Sequence, residues 1–383
     1  MRKRIIGIFL TVILVVSMTA CQQTKPEGNS SGYCGTVEGV AFELPDLGSR
    51  VELHTQQQND FLAEAKKNNN YDYIAMYAQG TMEASRPIPV SLSWTASGTQ
   101  PIDGYSVNIS KHADMHAPFY TANTEETELA VYNLEIGTVY YWTVTAQVAE
   151  ENITSGIASF TTSAQGPRNL YIEGITNVRD IGGYKTSDGG KVKQGMIYRS
   201  GRMNLSDDPT PTIEITEEGI FWLKNVLGVR SEIDLRGFEE AGQITQSPLG
   251  SDVFYAHYPM TYDDHILKGN FPQIAQIFSY LANEEHYPVV IHCNIGTDRT
   301  GLLCFLIDGL CGVSEEDLLL DYIYSNFGTI GGSRSTDAIL NDYIPLLENA
   351  KGDNLREKIY NYLAENGVST KDMDAVIAIM KEK

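Results

Sequence analysis

The sequence predicts an antiparallel β-sandwich followed by an α/β domain with a mainly parallel sheet flanked by helices. Short runs that alternate apolar and polar residues recur over residues 86–164, which indicates a sandwich. From residue 165 onward, short apolar runs alternate with segments of helical periodicity, which indicates a parallel sheet covered on both faces. The 383 residues suffice for two or three domains of about 150 residues each.

The composition limits the classes of function. Hydrophobic residues make up 42% of the chain, which excludes disorder over its whole length. Lys and Arg number 28 against 49 Asp and Glu, a net charge of −21. This excess argues against binding to nucleic acid or to anionic membrane surfaces, because the summed field repels polyanions. Five cysteines in a chain of this length do not form a disulfide scaffold.

The N-terminus predicts a signal peptide over residues 1–20. A basic start, MRKR, precedes an apolar run that is too short to span a bilayer comfortably. Ser-Met-Thr-Ala before Cys21 resembles the lipobox of bacterial lipoprotein signal peptides, with Met18 where that family usually has Leu. The resemblance implies lipid attachment to Cys21 and a protein anchored to the cell membrane, outside the cytoplasm. The alternative is an ordinary signal peptide and a secreted protein.

Residues 21–85 receive no function from the sequence. A polar stretch rich in Gly, Ser and Pro follows Cys21 and predicts a flexible tether. Residues 57–67 predict one short helix, which the following asparagines end.

Within residues 86–164, the strand-like runs carry aromatic residues at informative places. Trp94 stands on an early run, Tyr105 on a middle one, and Leu-x-x-Gly-Thr-x-Tyr ends at Tyr140. Together they resemble a fibronectin type III domain, in which Tyr140 would be the tyrosine-corner residue. Trp94 and Trp142 are predicted core residues, and an exposed aromatic binding platform is the alternative.

The region from residue 165 predicts strands in SEIDLR and PVVIHC. Ser314 and Ser369 are each followed three residues later by Asp, which predicts capped helix starts. The predicted helices cover residues 271–283, 300–311, 314–327, 336–350, 354–365 and 371–382.

The chemistry is predicted where an apolar strand runs through His292 into Cys293, a short loop and an apolar helix. Backbone N–H groups in a tight loop at a helix N-terminus form a cradle for a tetrahedral anion. Gly296 allows the backbone to bend closely, and Arg299 can hold two phosphoryl oxygens. Arg299 and the helix dipole favour a thiolate at Cys293, which can attack phosphorus to give a cysteinyl-phosphate.

The stretch HC-x-x-G-x-DRTG resembles the signature loop of cysteine-dependent tyrosine phosphatases, and is close to the bacterial branch of secreted tyrosine and phosphoinositide phosphatases. Three further motifs of that branch occur in the family's order, at residues 177–184, 198–201 and 233–236, the last followed by Glu239 and Glu240. The resemblance covers residues 167–383. It implies a tyrosine-phosphatase-like catalytic domain over 165–383 and phosphomonoester hydrolysis without a metal or organic cofactor.

One departure from the branch bears on the substrate. Where the branch commonly has Ala-Gly-Lys before Asp-Arg, this chain has Ile295, Gly296 and Thr297. The lysine is associated with a second phosphate on phosphoinositides, so phosphotyrosine in a protein is the first predicted substrate. A phosphoinositide or inositol phosphate is the second. A surface lipoprotein that binds phosphate without turnover is a third possibility.

The resemblance also implies residue roles. Cys293 is the nucleophile, and Thr300 donates its hydroxyl to the sulfur, a role compatible with capping the helix. Asp298 is the predicted general acid, with Asp263 and Asp264 as the alternatives. A further alternative for Asp298 is an ion pair that positions an arginine, Arg299 or Arg179.

The predicted substrate-binding residues are the loop and two arginines, namely Asn294, Ile295, Gly296, Thr297, Arg179 and Arg199. Two predictions stand for Asp180 and Arg236: either they frame the pocket or brace its loops, or they form buried ion pairs that hold the fold. The second prediction also applies to Asp234. His292 is predicted to fix the loop by hydrogen bonds. A metal role for it is not predicted, because no second ligand stands at a usable spacing. Cys304 and Cys311 are predicted core residues, with protection of Cys293 from oxidation as the alternative.

Overall fold

A computed structural model describes residues 30–68, 71–204, 214–242, 244–262 and 266–382. The predicted signal peptide, its Cys21 and the tether as far as residue 29 lie outside the described residues, and so do Asp263 and Asp264. Across the described ranges, no helix is both long enough and apolar enough to cross a membrane.

The N-terminal part of the chain forms a β-sandwich. One antiparallel sheet has the order β10-β8-β5-β6, with β9 also paired to β8, and the strands β1-β2-β4 and β3-β7 pair separately. The buried faces of all these pairings share one apolar core. The strands are β1 Tyr33–Val37, β2 Val40–Leu44, β3 Val90–Ser93, β4 Thr95–Ser97, β5 Gly104–Ser110, β6 Tyr120–Thr124, β7 Glu128–Val131, β8 Val139–Val148, β9 Glu151–Thr154 and β10 Ala158–Thr161.

Tyr140 occupies the tyrosine corner that the sequence predicts. It is buried near the start of β8, and its hydroxyl accepts a hydrogen bond from the backbone N–H of Glu135 at 2.9 Å. Trp94 and Trp142 are buried in the sandwich core, so the predicted core role is confirmed and an exposed aromatic platform is not.

The stretch that the sequence left unassigned contributes to both domains. Strands β1 and β2 form a hairpin whose inward side chains, among them Phe42, complete the sandwich core. The helix α1, Gln56–Asn68, confirms the one predicted over 57–67. Its Phe61 packs instead on the α/β domain, where the ring contacts Tyr324 and Phe327. The chain therefore contributes α1 to the α/β domain between strands β2 and β3 of the sandwich.

The α/β domain has a six-stranded sheet in the order β11-β12-β14-β17-β15-β16. The four strands from β14 to β16 in this order are parallel, and β11 and β12 are antiparallel. The strands are β11 Arg168–Asn169, β12 Arg179–Asp180, β13 Lys191–Val192, β14 Ile197–Ser200, β15 Ser231–Asp234, β16 Phe254–His257, β17 Val289–His292 and β18 Lys381–Glu382, the pair β13-β18 lying outside this sheet.

Helices cover both faces of this sheet. Along β17, Val289 and Ile291 join one apolar core, and Val290 between them joins another on the opposite face. This alternation explains why the strand is apolar at every position. The helices are α2 Glu217–Phe221, α3 Phe238–Ala241, α4 Ile266–Gly269, α5 Phe271–Leu281, α6 Asp298–Cys311, α7 Glu315–Ile323, α8 Ile344–Glu348, α9 Leu355–Glu365 and α10 Thr370–Met380.

The predicted helix starts and interruptions can be compared with the structure. The Ser314 hydroxyl accepts the Asp317 N–H, and the Ser369 hydroxyl accepts the Asp372 N–H, so both predicted caps are confirmed. The single helix predicted over 336–350 is instead a π-helix, Ala338–Tyr343, followed by α8. Proline at the start of α8 has no N–H to continue an α-helical ladder, which accounts for the change.

A buried arginine joins the two domains. From β11, Arg168 donates to the sandwich carbonyls of Leu134 at 3.1 Å and Asn133 at 2.7 Å, and it pairs with Asp180 at 2.7 Å. Asp180 thus forms a buried ion pair that holds the fold, as one of the two predictions for this residue states. Since these groups are buried, the two domains are connected by satisfied polar contacts rather than by a bare linker.

Phe61→Ala tests whether α1 is an integral part of the α/β core. The substitution removes a fully buried ring, and we expect the free energy of unfolding to fall by about 3–5 kcal/mol. Urea denaturation of the mature chain, followed by circular dichroism, measures the change. Phe254→Ala, at a ring that is 57% exposed, is the control and should stay within about 0.5 kcal/mol of wild type. Equal stability of the two variants would contradict this packing.

Candidate active site

The site lies at one edge of the six-stranded sheet, where the central strand β17 ends. Ser200 at the end of β14, His292 at the end of β17 and Asp234 at the end of β15 lie in register. Cys293 follows directly, and the loop reaches α6 at Asp298. The carboxyl ends of parallel strands are where α/β folds place ligands, and here that edge meets a helix N-terminus.

The loop backbone is held from outside by its carbonyl groups. The carbonyl of Ile295 accepts from the Asn177 side chain at 3.1 Å, and that of Gly296 accepts from Arg199 Nη2 at 2.7 Å. The Asn294 carbonyl accepts the Arg202 N–H at 3.0 Å. With these carbonyls turned outward, the N–H groups of residues 294–297 donate to no acceptor in the described part of the chain. The loop is therefore the predicted anion cradle.

Gly296 is required by the packing of the loop. Its φ is +71°, and a Cβ there would lie 2.3 Å from the carbonyl oxygen of Ser200. No side chain fits in that space, and the left-handed backbone adds strain for other residues. The glycine therefore allows close approach to the neighbouring strand end, in addition to the predicted bend.

Cys293 lies at the base of the cradle and is 1% exposed. Burial raises the pKa of its thiol. The Arg299 charge and the hydroxyl and N–H of Thr300 lower this pKa by more than burial raises it, so the pKa lies below its ordinary value. The Thr300 hydroxyl makes no standard hydrogen bond to a described oxygen or nitrogen, which leaves it available to the sulfur. Thr297, not Thr300, is the residue before the helix, so the predicted capping role of Thr300 is wrong.

Arg299 is oriented by a carboxylate that the sequence analysis did not single out as a site residue. Both terminal nitrogens of its guanidinium donate to Glu240 on α3, Nη2 to Oε1 at 2.8 Å. Its Nε is buried and has no partner among the described residues. A forked pair fixes the plane of the guanidinium, so the N–H donors that Glu240 does not take, Nε–H among them, keep one direction.

Asp298 is held by residues from beyond α6. Arg334 donates to it through Nε at 3.1 Å and Nη2 at 3.2 Å, and the Tyr322 hydroxyl donates at 3.2 Å. The alternative of an ion pair is thus correct in kind, but its partner is Arg334 and not Arg299 or Arg179. A carboxylate fixed by three donors has a defined orientation beside the cradle.

Arg179 and Arg199 lie behind the loop, which corrects the prediction that they bind substrate. Both are buried, and both pair with the Asp321 carboxylate of α7, Arg179 at 2.8 Å. Arg179 also donates to the side chain of Asn177, which itself holds the Ile295 carbonyl. Since both side chains are buried and their terminal nitrogens donate to these acceptors, the two arginines support the loop; Arg199 Nε has no partner among the described residues.

His292 belongs to a buried cluster of four charged groups. Its Nε2 lies 2.9 Å from Glu232 and its Nδ1 3.2 Å from the Cys293 carbonyl. Both partners are acceptors, so the ring carries both protons as imidazolium. Burial lowers the pKa of His292, but Asp234 and Glu232 raise it more. Arg236 pairs with Asp234 at 2.7 Å, which confirms the predicted fold-holding pair.

The expectation that His292 has no potential co-ligand nearby is wrong. Donor atoms of His292, Glu232 and Asp234 lie within 4.8 Å of one another, because alternate positions on β15 bring both carboxylates beside β17. Oε1 of Glu232 already engages the imidazolium and Asp234 engages Arg236, so the group forms an ion-pair cluster, in which Oε2 of Glu232 has no partner among the described residues.

Cys304 and Cys311 are buried in the apolar core, as predicted. Burial raises the pKa of Cys304 to about 12 and also raises that of Cys311. Thiols of this kind are unreactive, which distinguishes them from Cys293 in the loop before α6.

With the geometry established, the chain can be compared with known proteins. The family model "Tyrosine phosphatase family" matches residues 170–382. A Cupriavidus necator protein that carries the name of a tyrosine-protein phosphatase is 29% identical over 182 residues, which cover 43% of this chain and 65% of that protein. A tyrosine-protein phosphatase of Nostoc commune is 27% identical over 132 residues, covering 29% of this chain and 45% of that protein. The matches thus span less than two thirds of these relatives.

Among solved structures, the chain is similar to the core catalytic domain of the PP-IP phosphatase SIW14 from S. cerevisiae in complex with citrate. The alignment covers 40% of this chain and 84% of that one, at 18% sequence identity and a TM-score of 0.28.

Thr300→Ala tests how the Cys293 thiolate is stabilised. One hydrogen bond to a charged group contributes about 1.5–3 kcal/mol, so its loss should raise the pH midpoint of Cys293 alkylation by about one to two units. Iodoacetamide labelling against pH, with the Cys293 peptide quantified by mass spectrometry, measures the midpoint. Thr300→Ser retains the hydroxyl and should titrate like wild type. If Thr300→Ala also did so, the hydroxyl would have no effect on the sulfur.

Proposed function

We infer that this chain, which belongs to the tyrosine phosphatase family, hydrolyses phosphomonoesters through a cysteinyl-phosphate intermediate. The observation that carries the inference is the convergence of three features at one loop. These are the Cys293 thiol with its lowered pKa, the unpartnered Nε of Arg299, and backbone N–H groups without an acceptor among the described residues. A nucleophile beside an anion cradle suits attack on a phosphoryl group.

The proposed reaction has two displacements at phosphorus. In the first, the thiolate forms an S–P bond while the P–O bond to the leaving group breaks, and Asp298 in its protonated form supplies a proton to the departing oxygen. In the second, water attacks phosphorus, the S–P bond breaks, and the Asp298 carboxylate takes the proton that the water loses, so inorganic phosphate is released and the acid is restored. The sulfur leaves as a thiolate, which the Thr300 hydroxyl stabilises. Arg299 and the loop N–H groups stabilise the negative charge of the phosphoryl oxygens in both steps.

A phosphotyrosine side chain is the substrate that the surroundings favour. Tyr262 is 60% exposed, and its ring centre lies 5.8 Å from the Arg299 guanidinium carbon. Phe238 is 72% exposed on α3, the helix that presents Glu240 to Arg299. Exposed rings beside the cradle can contact an aryl ester through aromatic packing. Thr297, which stands in place of the lysine, is buried and bonded to Asn177, so it offers no cation for a second phosphate.

We also propose that the protein acts outside the cytoplasm, attached to the membrane through lipid on Cys21, with a fibronectin type III-like sandwich as its spacer. The basic and apolar start of the chain and the residues before Cys21 support the anchor. The tyrosine corner at Tyr140 supports the sandwich type. Mass spectrometry of the mature protein tests the anchor, and an unmodified Cys21 in a secreted product would contradict it.

The catalytic proposal predicts turnover that depends on one thiol. The mature chain should hydrolyse a phosphotyrosine peptide. Cys293→Ser should reduce the rate by a factor of about 10⁴ or more, because the serine hydroxyl stays neutral and is a much weaker nucleophile than a thiolate. Release of inorganic phosphate is the measurement, and Cys311→Ala, which alters a buried thiol outside the cradle, is the control.

The same assay with phosphoinositides and inositol phosphates decides between the substrate classes. Faster turnover of these would favour the second candidate function. Activity that survives in Cys293→Ser would contradict the cysteine mechanism. Phosphate binding without turnover of any substrate would favour the non-catalytic binding lipoprotein.

Asp298→Asn tests the general acid. A general acid works only while protonated, so wild-type activity should fall at alkaline pH, and the variant should lose this alkaline fall. We expect kcat to drop by about 100-fold or more on phenyl phosphate, the range for a positioned acid. pH–rate profiles measure both effects, with Asp263→Asn and Asp264→Asn as matched variants. An alkaline fall that persists in Asp298→Asn and disappears in one of these would transfer the role to that residue.

A further inference from the structure

We propose that residues 80–84, named here the strap, position the proton donor of the proposed reaction. In the chain, the strap lies between strands β2 and β3 of the sandwich, and outside residues 170–382, the part that matches the family. It packs on the loop 326–334, which presents Arg334 to Asp298. The inference rests on the proposed function and assigns Gly80 and Glu83 as positioning residues for Asp298.

The strap and the loop are joined backbone to backbone. The Gly80 N–H donates to the Asn326 carbonyl at 2.8 Å, and the Gly80 carbonyl accepts from the N–H groups of Ile330 at 2.9 Å and Gly331 at 3.0 Å. The Ala84 N–H donates to the Phe327 carbonyl at 2.6 Å. Contacts at both ends of the strap hold the loop along its length, independently of side-chain rotamers.

The approach at Gly80 is closer than any other residue allows. Its φ is +70°, and a Cβ there would lie 2.6 Å from both the Gly332 carbonyl oxygen and a side-chain carbon of Ile330. Because backbone atoms cannot move aside as a flexible side chain does, a substitution must displace the loop.

The loop transmits this position to the acid. The Asn326 side chain accepts the Arg334 N–H at 2.7 Å and donates to the Arg334 carbonyl at 2.8 Å, so it fixes the backbone of that residue on both sides. The Arg334 guanidinium is held by the Gly332 carbonyl at 3.2 Å and donates twice to Asp298. A displaced loop therefore displaces the guanidinium that orients the carboxyl group.

Glu83 ties the strap to the cradle as well. Its carboxylate accepts the Thr176 hydroxyl, and that hydroxyl oxygen accepts the Thr329 N–H at 2.8 Å. The next residue, Asn177, holds the Ile295 carbonyl of the cradle. One carboxylate thus sets the spacing between the Arg334 loop and the anion cradle, the distance that an acid must match to reach a leaving oxygen.

The test uses two aryl phosphates whose leaving groups depend differently on the acid. The full mature chain and its variants are assayed on phenyl phosphate, a poor leaving group that needs protonation, and on p-nitrophenyl phosphate, which needs it little. Gly80→Ala and Glu83→Gln should lose about tenfold or more in kcat on phenyl phosphate, a part of what a positioned acid contributes, and under about threefold on p-nitrophenyl phosphate. Cys293 alkylation should titrate as in wild type.

Gly39→Ala is the matched control. It introduces the same side chain at a positive φ of +85°, but no atom lies within 4 Å of the added Cβ. This variant should have the backbone strain of Gly80→Ala, but its kcat on phenyl phosphate should fall no more than its kcat on p-nitrophenyl phosphate. Circular dichroism establishes that each variant is folded, and Glu83→Gln keeps the test valid if Gly80→Ala unfolds.

Three outcomes would overturn the inference. Equal losses on the two esters would mean that the strap only stabilises the fold. A Gly39→Ala variant with the same selective loss would assign the effect to general strain. Absence of turnover by wild type on either ester would contradict the proposed function itself, and the inference would fall with it.

Discussion

The site depends on one buried carboxylate that pairs with two arginines. Asp321 of α7 pairs with Arg179 on β12 and Arg199 on β14, and Arg199 in turn donates to the Gly296 carbonyl of the cradle. Two guanidinium groups buried here without the carboxylate would carry a large desolvation cost. The carboxylate therefore lets the arginines lie under the loop, where Arg199 holds one loop carbonyl directly and Arg179 holds the Asn177 side chain that binds another. With its carbonyls engaged in this way, the loop keeps N–H groups that have no acceptor among the described residues.

The sequence predicts those parts of the molecule whose signals are local. The strand before Cys293, the loop, the following helix, the serine caps and the Tyr140 corner each depend on neighbours within a few positions, and the structure has them. Glu240 follows one of the family motifs, but its pairing with Arg299 was missed, as was the pairing of Arg334 with Asp298. In both pairs the partners come from distant segments, and no spacing in the chain indicates them. Glu232 did leave a usable signal. A charged residue in a central strand that is buried at every position requires a buried partner, and His292 provides it.

The acidic composition and the anionic substrate are compatible because the site makes little use of net charge. Buried arginines are paired with carboxylates, as Arg168 is with Asp180 and Arg299 is with Glu240. What remains for the proposed phosphoryl group is the oriented Arg299 donors that Glu240 does not take and the backbone dipoles of the loop. Such a site suits a compact tetrahedral anion by direction and distance, while the net charge of −21 repels extended polyanions.

The interleaved path of the chain has a consequence for the order in which the protein folds. Glu83 and Thr329 meet although they are 246 positions apart in the chain, and Phe61 of α1 contacts the similarly distant Phe327. During synthesis, α1 therefore emerges long before the partners of its apolar face. Such high contact order slows folding and leaves apolar surface open to association with other chains. The sandwich, whose strands are nearer to one another in sequence, can form before α1 meets these partners.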